Sequence, residues 1–239
     1  MSMSSEPAAT ARIRRAGLAF AAFVAPWGIV LGNLGYAWMT RHGGNDETSR
    51  GALELAAAHP VIGLAANIAA MIGSMLLVPA ILGAIRLTRV HAAGGGLLGG
   101  VLMIAGYICY FAMLFHGALS ESIITGGSPT DAQVAVVDAM TIQPLDVAVS
   151  TLFLVGNLIG TFLLGLALLR SQAIPTWAAL GVLAWPVLHL AGLFVGSEWV
   201  EVTGAVLQAV GFAVVGSRVL RLRLPEAAEN LVPQALSRR

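Results

Sequence analysis

The chain has no lysine, a single cysteine and few charged residues of either sign. All 13 basic residues are arginine. The missing lysine excludes a Schiff base to retinal or pyridoxal and the lysine of a phosphate-binding loop. With Cys109 alone, an intramolecular disulfide is excluded as well. Charged residues are 10% of the chain, against about 25% in a typical soluble domain. They are too few to cover the surface of a soluble helical protein.

Long apolar segments take up most of the sequence instead, and they contain no Asp, Glu, Arg or Lys. A helix of about 20 residues crosses the hydrocarbon core of a bilayer. The sequence therefore predicts an all-α integral membrane bundle of six transmembrane helices within residues 16–218, with cytoplasmic tails at 1–15 and 219–239. The predicted spans are Ala16–Met39, Pro60–Ile85, Ala92–Leu119, Val147–Leu169, Ala173–Gly196 and Val202–Ser217.

The distribution of arginine predicts the orientation. Six spans put both termini on one side, and that side carries 11 of the 13 arginines, whereas the other side carries nine of the 12 acids. Positively charged loops stay in the cytoplasm, so we expect both termini to be cytoplasmic in a bacterial inner membrane. The arginines are dispersed over short loops, which favours anionic lipid headgroups as their partners and argues against nucleic acid.

Two connections on the outer side are predicted to contain short helices. Ser128-Pro-Thr-Asp131 is typical of a helix start, with Ser128 as the N-cap and Pro129 at the first helical position. A second short helix is predicted at residues 48–58. Both could cover an external cavity, or they could simply complete long connections.

Each predicted span carries one strongly polar side chain. Because an unpartnered amide or imidazole costs several kcal/mol in hydrocarbon, we expect these groups to face one another or a wet cavity that is open to the outside. Glu121, Asp146, Glu198 and Glu201 would form an acidic mouth above it. The alternative is that each polar group joins two helices. The candidate ligand-binding residues are Asn33, Asn67, His116, Asn157, His189 and Gln208, together with Glu121 and Glu198.

The two intramembrane histidines are compatible with several roles, so the sequence does not decide whether a cofactor is bound. His116 and His189 could bind haem axially, or act as acid–base groups with Glu121 or Glu198 as partners. Cys109, Met113 and His116 share one helix face and could bind copper. Alternatively, each histidine only hydrogen-bonds a neighbouring group.

Small residues recur at spacings of four in the predicted helices: Gly28/Gly32, Gly156/Gly160 and Gly192/Gly196. Such pairs let helices approach closely, either within the bundle or against a second copy or another membrane protein. Leu31-Gly-Asn-Leu-Gly35 also resembles Val155-Gly-Asn-Leu-Ile-Gly160, which would suit an internal repeat.

Two further segments carry a resemblance. His59-Pro60 through Leu77-Val-Pro79 and Arg86-Leu-Thr-Arg89, with Leu168-Leu-Arg-Ser171 and Ile174-Pro-Thr-Trp177, resemble a loose group of uncharacterised bacterial multi-pass membrane proteins. The similarity covers about residues 50–180, and Thr176 stands where such sequences often have arginine. The resemblance implies a topology and no activity.

Three functions follow as hypotheses. The first is binding or transport of a small lipophilic or amphiphilic molecule in an outward polar cavity. The second is a membrane enzyme or haem carrier that acts on a lipophilic substrate. The third is an accessory subunit of a larger membrane complex.

Overall fold

The computed structural model describes residues 8–44, 47–124 and 127–222, and it is helical throughout, without a strand in those ranges. Six of its helices, or continuous helical runs, are long and apolar enough to cross a membrane. The predicted all-α fold with six membrane-spanning helices is confirmed, and the chain is a multi-pass membrane protein. The helices are α1 (Ala8–Thr40), α2 (Ser49–Ala58), α3 (Pro60–Thr88), α4 (Ala93–Glu121), α5 (Asp131–Thr141), α6 (Pro144–Val155), α7 (Thr161–Ser171), α8 (Thr176–Val195) and α9 (Glu198–Leu220).

The fourth span is made of three segments without a break. A π-helical turn, Gly156–Gly160, joins α6 to α7, so that residues Pro144–Ser171 form one continuous span. The other spans are α1, α3, α4, α8 and α9, while α2 and α5 are too short to cross a bilayer.

The ends of the spans differ from those predicted. The first helix begins at Ala8, so residues 8–15, which were assigned to a tail, belong to α1. The last helix continues to Leu220, two residues beyond the predicted boundary at 218. Arginines continue a helix well, and the guanidinium of Arg15 donates to the carbonyl of Leu222, which ties the two helices together. Residues 1–7 and 223–239 of the predicted tails lie outside the described ranges.

The spans form a closed ring in chain order. Each packs against the next, and α9 returns to pack against α1. Neighbouring spans are antiparallel, so the bundle has a termini end, where α1 begins and α9 ends, and a distal end, where α1 ends and α9 begins. The short helices α2 and α5 lie in the connections at the distal end.

The packed core fills the half of the bundle nearer the termini end. There α3 also packs against α7 and α9 across the ring. Leu77, Ile81, Leu168 and Phe212 are fully buried at this level. The outer surface of the bundle is apolar, with Phe194 87% exposed, which suits contact with lipid.

Glycine allows two helix pairs to pack backbone to backbone. A Cβ on Gly28 of α1 would lie 2.5 Å from the carbonyl oxygen of Ala69 in α3. A Cβ on Gly156 would lie 2.4 Å from the carbonyl oxygen of Leu102 in α4. Both glycine faces therefore pack within the chain.

Both short distal helices are present, and one begins later than predicted. α2 lies within the predicted residues 48–58, and the side-chain oxygen of Thr48 caps it by accepting from the backbone N–H of Gly51. For α5 the N-cap is Thr130 and not Ser128, and Pro129 precedes the helix. A capping box needs Glu or Gln three residues after the cap, and Gln133 stands at that position only for Thr130.

Candidate functional site

A cavity of about 460 Å³ occupies the distal half of the bundle. Its walls come from α1, α3, α4, α8 and α9, and α2 adds Ala52, Leu55 and Ala56. The lining runs from the exposed Glu121 inward to Glu201, which is 5% exposed. The lining combines small residues, such as Gly32 and Ala66, with larger apolar ones and with polar side chains.

Four of the predicted candidate residues line this cavity: Asn33, Asn67, Glu121 and Glu198. The amide nitrogen of Asn67 donates to the carbonyl oxygen of Leu114 at 3.2 Å. That bond fixes which way the amide points, and it leaves Asn67 Oδ1 buried without a hydrogen-bond partner. Asn33 Nδ2 is also buried without a partner. Two residues of the cavity lining thus carry buried polar atoms that the protein itself does not satisfy.

The cavity lining is acidic. Glu121, Glu198 and Glu201 contribute carboxylates, whereas no Arg, Lys or His is found among the described lining residues. Glu201 was predicted at the mouth, but the structure places it in the first turn of α9 with its side chain buried. Asp146 was predicted at the same mouth, but it does not line the cavity and contacts His116 instead.

His189 stands behind the wall, against Glu201. Its Nδ1 atom lies 2.7 Å from Glu201 Oε2, an ion-pair distance, although the approach does not meet hydrogen-bond geometry. The imidazole stacks on the indole of Trp185 with ring centroids 5.0 Å apart. The indole nitrogen donates to Asn157 Oδ1 at 3.1 Å. A chain of contacts therefore runs from the cavity wall at Glu201 to Asn157 in the fourth span.

Asn157 and Gln208 are buried away from the cavity. Asn157 lies in the π-helical turn and is 2% exposed. Gln208, 1% exposed, lies beside the hydroxyl of Tyr107, although neither Gln208 Nε2 nor the hydroxyl has a partner at hydrogen-bond geometry. Asn157 joins two spans through its contact with Trp185, which is the alternative role that the sequence left open.

His116 belongs to a separate contact near the distal end. Its Nδ1 atom lies 2.8 Å from Asp146 Oδ1, which joins α4 to the start of α6. The two histidines are held by α4 and α8, which are not neighbours in the ring. The carboxylates beside the imidazoles are Asp146 and Glu201, where Glu121 and Glu198 had been expected. The histidines and the acids expected as their partners therefore do not meet: Glu121 and Glu198 line the cavity, and the histidines do not.

The predicted copper ligands do not converge either. Met113 lines the cavity, Cys109 is a buried free thiol and His116 contacts Asp146. Within the described ranges, no group of three or more His, Cys, Asp or Glu side chains is arranged to hold a metal ion.

Two tyrosines were missed as candidates for the site. Tyr36 and Tyr110 both line the cavity, and the ring of Tyr110 stacks on Phe153 with centroids 4.7 Å apart. Tyr36 lies three residues after Asn33 on α1, so the helical period places both on one face. Tyr110 likewise lies on one face of α4 with Met113 and Gly117, and this period was the available signal.

Comparison with known proteins assigns no family. No family model, curated protein or solved structure matches this chain. The resemblance to uncharacterised bacterial multi-pass proteins stays a prediction.

Proposed function

We propose that the distal cavity binds a small amphiphilic molecule, and that the protein is a binder or a transporter of it. The observation that carries this proposal is a cavity of about 460 Å³ lined by Asn33 and Asn67, each of which has a buried polar atom without a partner, Asn33 Nδ2 and Asn67 Oδ1. Small-molecule sites typically have about 300–1,000 Å³ and a few polar groups in an apolar wall. Leu55, Leu114 and Leu193 supply the apolar part.

We further propose that the cavity opens to the outside of a bacterial inner membrane. The described arginines at the termini end are Arg12, Arg14, Arg15, Arg86, Arg89, Arg170, Arg218 and Arg221, and those at the distal end are Arg41 and Arg50. The positive-inside rule then puts both termini in the cytoplasm.

The two rival functions have less support. A haem held by both histidines would need a space between them, whereas neither histidine lines the cavity and each imidazole contacts a carboxylate, Asp146 or Glu201. A partner subunit docked on the glycine faces would need them free, whereas Gly28 and Gly156 contact other helices of the same chain.

Blocking the cavity tests the proposal. Gly117 lines it, and a Cβ there would meet nothing within 4 Å, so Gly117→Phe should fill the space without a backbone clash. The matched control is Gly17→Phe, since Gly17 is exposed on α1 and also has open space. The probes are three dansyl compounds that share a five-carbon chain and end in an ammonium, an acetamide or a carboxylate.

We expect at least one probe to bind saturably to the protein in dodecyl maltoside. Gly117→Phe should weaken that binding by about tenfold or more, which corresponds to about 1.4 kcal/mol. Gly17→Phe should leave it unchanged. Absence of saturable binding for all three probes, or equal binding to both variants and the unchanged protein, would contradict the proposal.

A further inference from the structure

We infer that the cavity selects an organic cation, an amine or quaternary ammonium with an apolar body, and that Glu201 is its principal counter-charge. This inference rests on the proposed function and names the class of its ligand. Three features of the cavity support it: the charge of the lining, the kind of hydrogen-bonding atom left without a partner, and the aromatic residues of the wall.

The lining carries up to three formal negative charges, from Glu121, Glu198 and Glu201, and no described basic residue lines it. His189 is the basic group in contact with one of them. Even if that imidazole is protonated, it offsets Glu201 alone, so the Glu121 carboxylate still keeps the lining negative. An anionic ligand would be repelled there, and a cation would be attracted.

Of the three carboxylates, Glu201 is expected to contribute most to cation binding because its side chain is buried. Its side chain is 6% exposed, and the described contact to it is His189 Nδ1 on one oxygen, Oε2. A buried carboxylate with one imidazole partner is incompletely compensated, because removal from water costs more than a single contact returns. A ligand ammonium in the cavity would supply the second partner.

The free atom on Asn67 also fits a donor ligand. Its nitrogen is used by the Leu114 carbonyl, so its oxygen Oδ1 is the atom left without a partner. An oxygen accepts hydrogen bonds, and an ammonium group only donates them. Asn33 Nδ2 is a donor, and it would suit a hydroxyl or ether oxygen elsewhere on the ligand.

Aromatic and thioether groups line the rest of the wall. Tyr36 and Tyr110 present rings, and Met39 and Met113 present sulfur atoms. Tyrosine faces attract alkylammonium groups, and methionine adapts to apolar bodies of different shape. These groups favour an organic cation over a bare metal ion, which needs several oxygen ligands at close range.

The test compares charge on the ligand with charge on the protein. The same three dansyl probes are titrated into the unchanged protein, into Glu201→Gln and into Glu54→Gln. Glu54 is an exposed carboxylate on α2 that does not line the cavity, so it controls for net charge. Because the acetamide probe has no charge, its binding also reports whether each variant is folded.

We expect the ammonium probe to bind at least about tenfold more tightly than the acetamide probe, and the carboxylate probe to bind least. Glu201→Gln should abolish most of that preference and leave acetamide binding unchanged, while Glu54→Gln should alter neither. If Glu201→Gln fails to fold, the double variant Glu121→Gln/Glu198→Gln tests the same assignment: it should keep most of the preference for the ammonium probe because Glu201 is intact, and loss of that preference would contradict Glu201 as the principal counter-charge.

The outcomes separate the two proposals. Saturable binding that depends on Gly117 but shows no preference for the ammonium probe would overturn the cation inference and leave the proposed function standing. Absence of saturable binding of all three probes to the unchanged protein would contradict both the proposed function and the cation inference. Competition by a short-chain phosphatidylethanolamine would identify the cation as a lipid headgroup, and competition by a soluble alkylamine alone would identify a free amine.

Discussion

The indole nitrogen of Trp185 has one described partner, and that partner is Asn157 in the preceding span. Both side chains are nearly fully buried, with exposed fractions of 3% and 2%. An indole N–H donates one hydrogen bond and accepts none, so the amide oxygen satisfies it completely. The contact joins the fourth span to α8 and also holds the ring on which His189 stacks.

Replacing Asn157 by leucine should therefore destabilise the bundle by about 1–3 kcal/mol, because a buried donor loses its acceptor. The double variant Asn157→Leu/Trp185→Phe should recover part of that loss, since both polar groups are then gone. Thr151→Val is the control, because Thr151 is exposed on the same span. Reversible unfolding in mixed micelles measures the four free energies of the cycle. Strictly additive losses would mean that the contact does not contribute.

Sequence reasoning identified Asn157 and His189 as inward polar groups but not their partners. Depth along a span follows from counting residues, because each adds 1.5 Å. Which groups meet depends on how far each helix is rotated about its own axis, and that is set by packing across the ring. Glu201 shows the difference: its position suggested an acid in an external loop, but α9 begins three residues earlier and turns that side chain inward.

At the scale of an element, the π-helical turn is the least regular part of the bundle. Gly156–Gly160 contains one residue more than the similar segment Gly32–Gly35 in α1, which is regular α-helix. A π-turn closes over one more residue than an α-turn, so it can hold the extra residue without breaking the span. The two similar segments therefore differ in backbone conformation, and their shared residues did not predict this difference.

Close backbone contact also constrains this turn. Gly156 faces Gly106 of α4, and a Cβ on Gly156 would lie 2.7 Å from the Gly106 Cα atom. Gly156→Ala should thus force the two spans apart and destabilise the protein by about 1–3 kcal/mol, as overpacking does in other cores. Thermal unfolding in detergent measures the loss.

Gly94→Ala provides the matched control, because a Cβ at Gly94 meets nothing within 4 Å and the residue lies in the first turn of α4. Alanine is the better helix former, so that variant should be equal to the unchanged protein or more stable by up to about 1 kcal/mol. Equal stability of Gly156→Ala and Gly94→Ala would refute the assigned close contact.

At the scale of the whole molecule, the sequence predicted the number of membrane spans but not which residues line the cavity between them. Uncharged runs identify spans because a charge inside the bilayer is costly. The cavity in the distal half is lined by residues of six different helices. Their convergence follows from the closed ring, in which α9 returns to α1. The acidic residues near helix ends suggested a mouth, but only the packed bundle separates Glu198 and Glu201 from Asp146.

The proposed orientation of the whole molecule can be tested by labelling single cysteines in a Cys109→Ala background. Ser128 is exposed at the distal end, and His91 is exposed in the connection from α3 to α4 at the termini end. A membrane-impermeant maleimide should label Ser128→Cys on intact spheroplasts, and it should label His91→Cys only after permeabilisation. Ser171, at the termini end, is 7% exposed and would label poorly for steric reasons alone.

The physical reason for this expectation is the cost of moving arginine-rich connections across the membrane. The connections and helix ends at the termini end hold eight described arginines, and those at the distal end hold two. Labelling of His91→Cys without permeabilisation, together with protection of Ser128→Cys, would reverse the topology. The acidic cavity would then open to the cytoplasm, and any amphiphilic cation that it binds would be taken from that side.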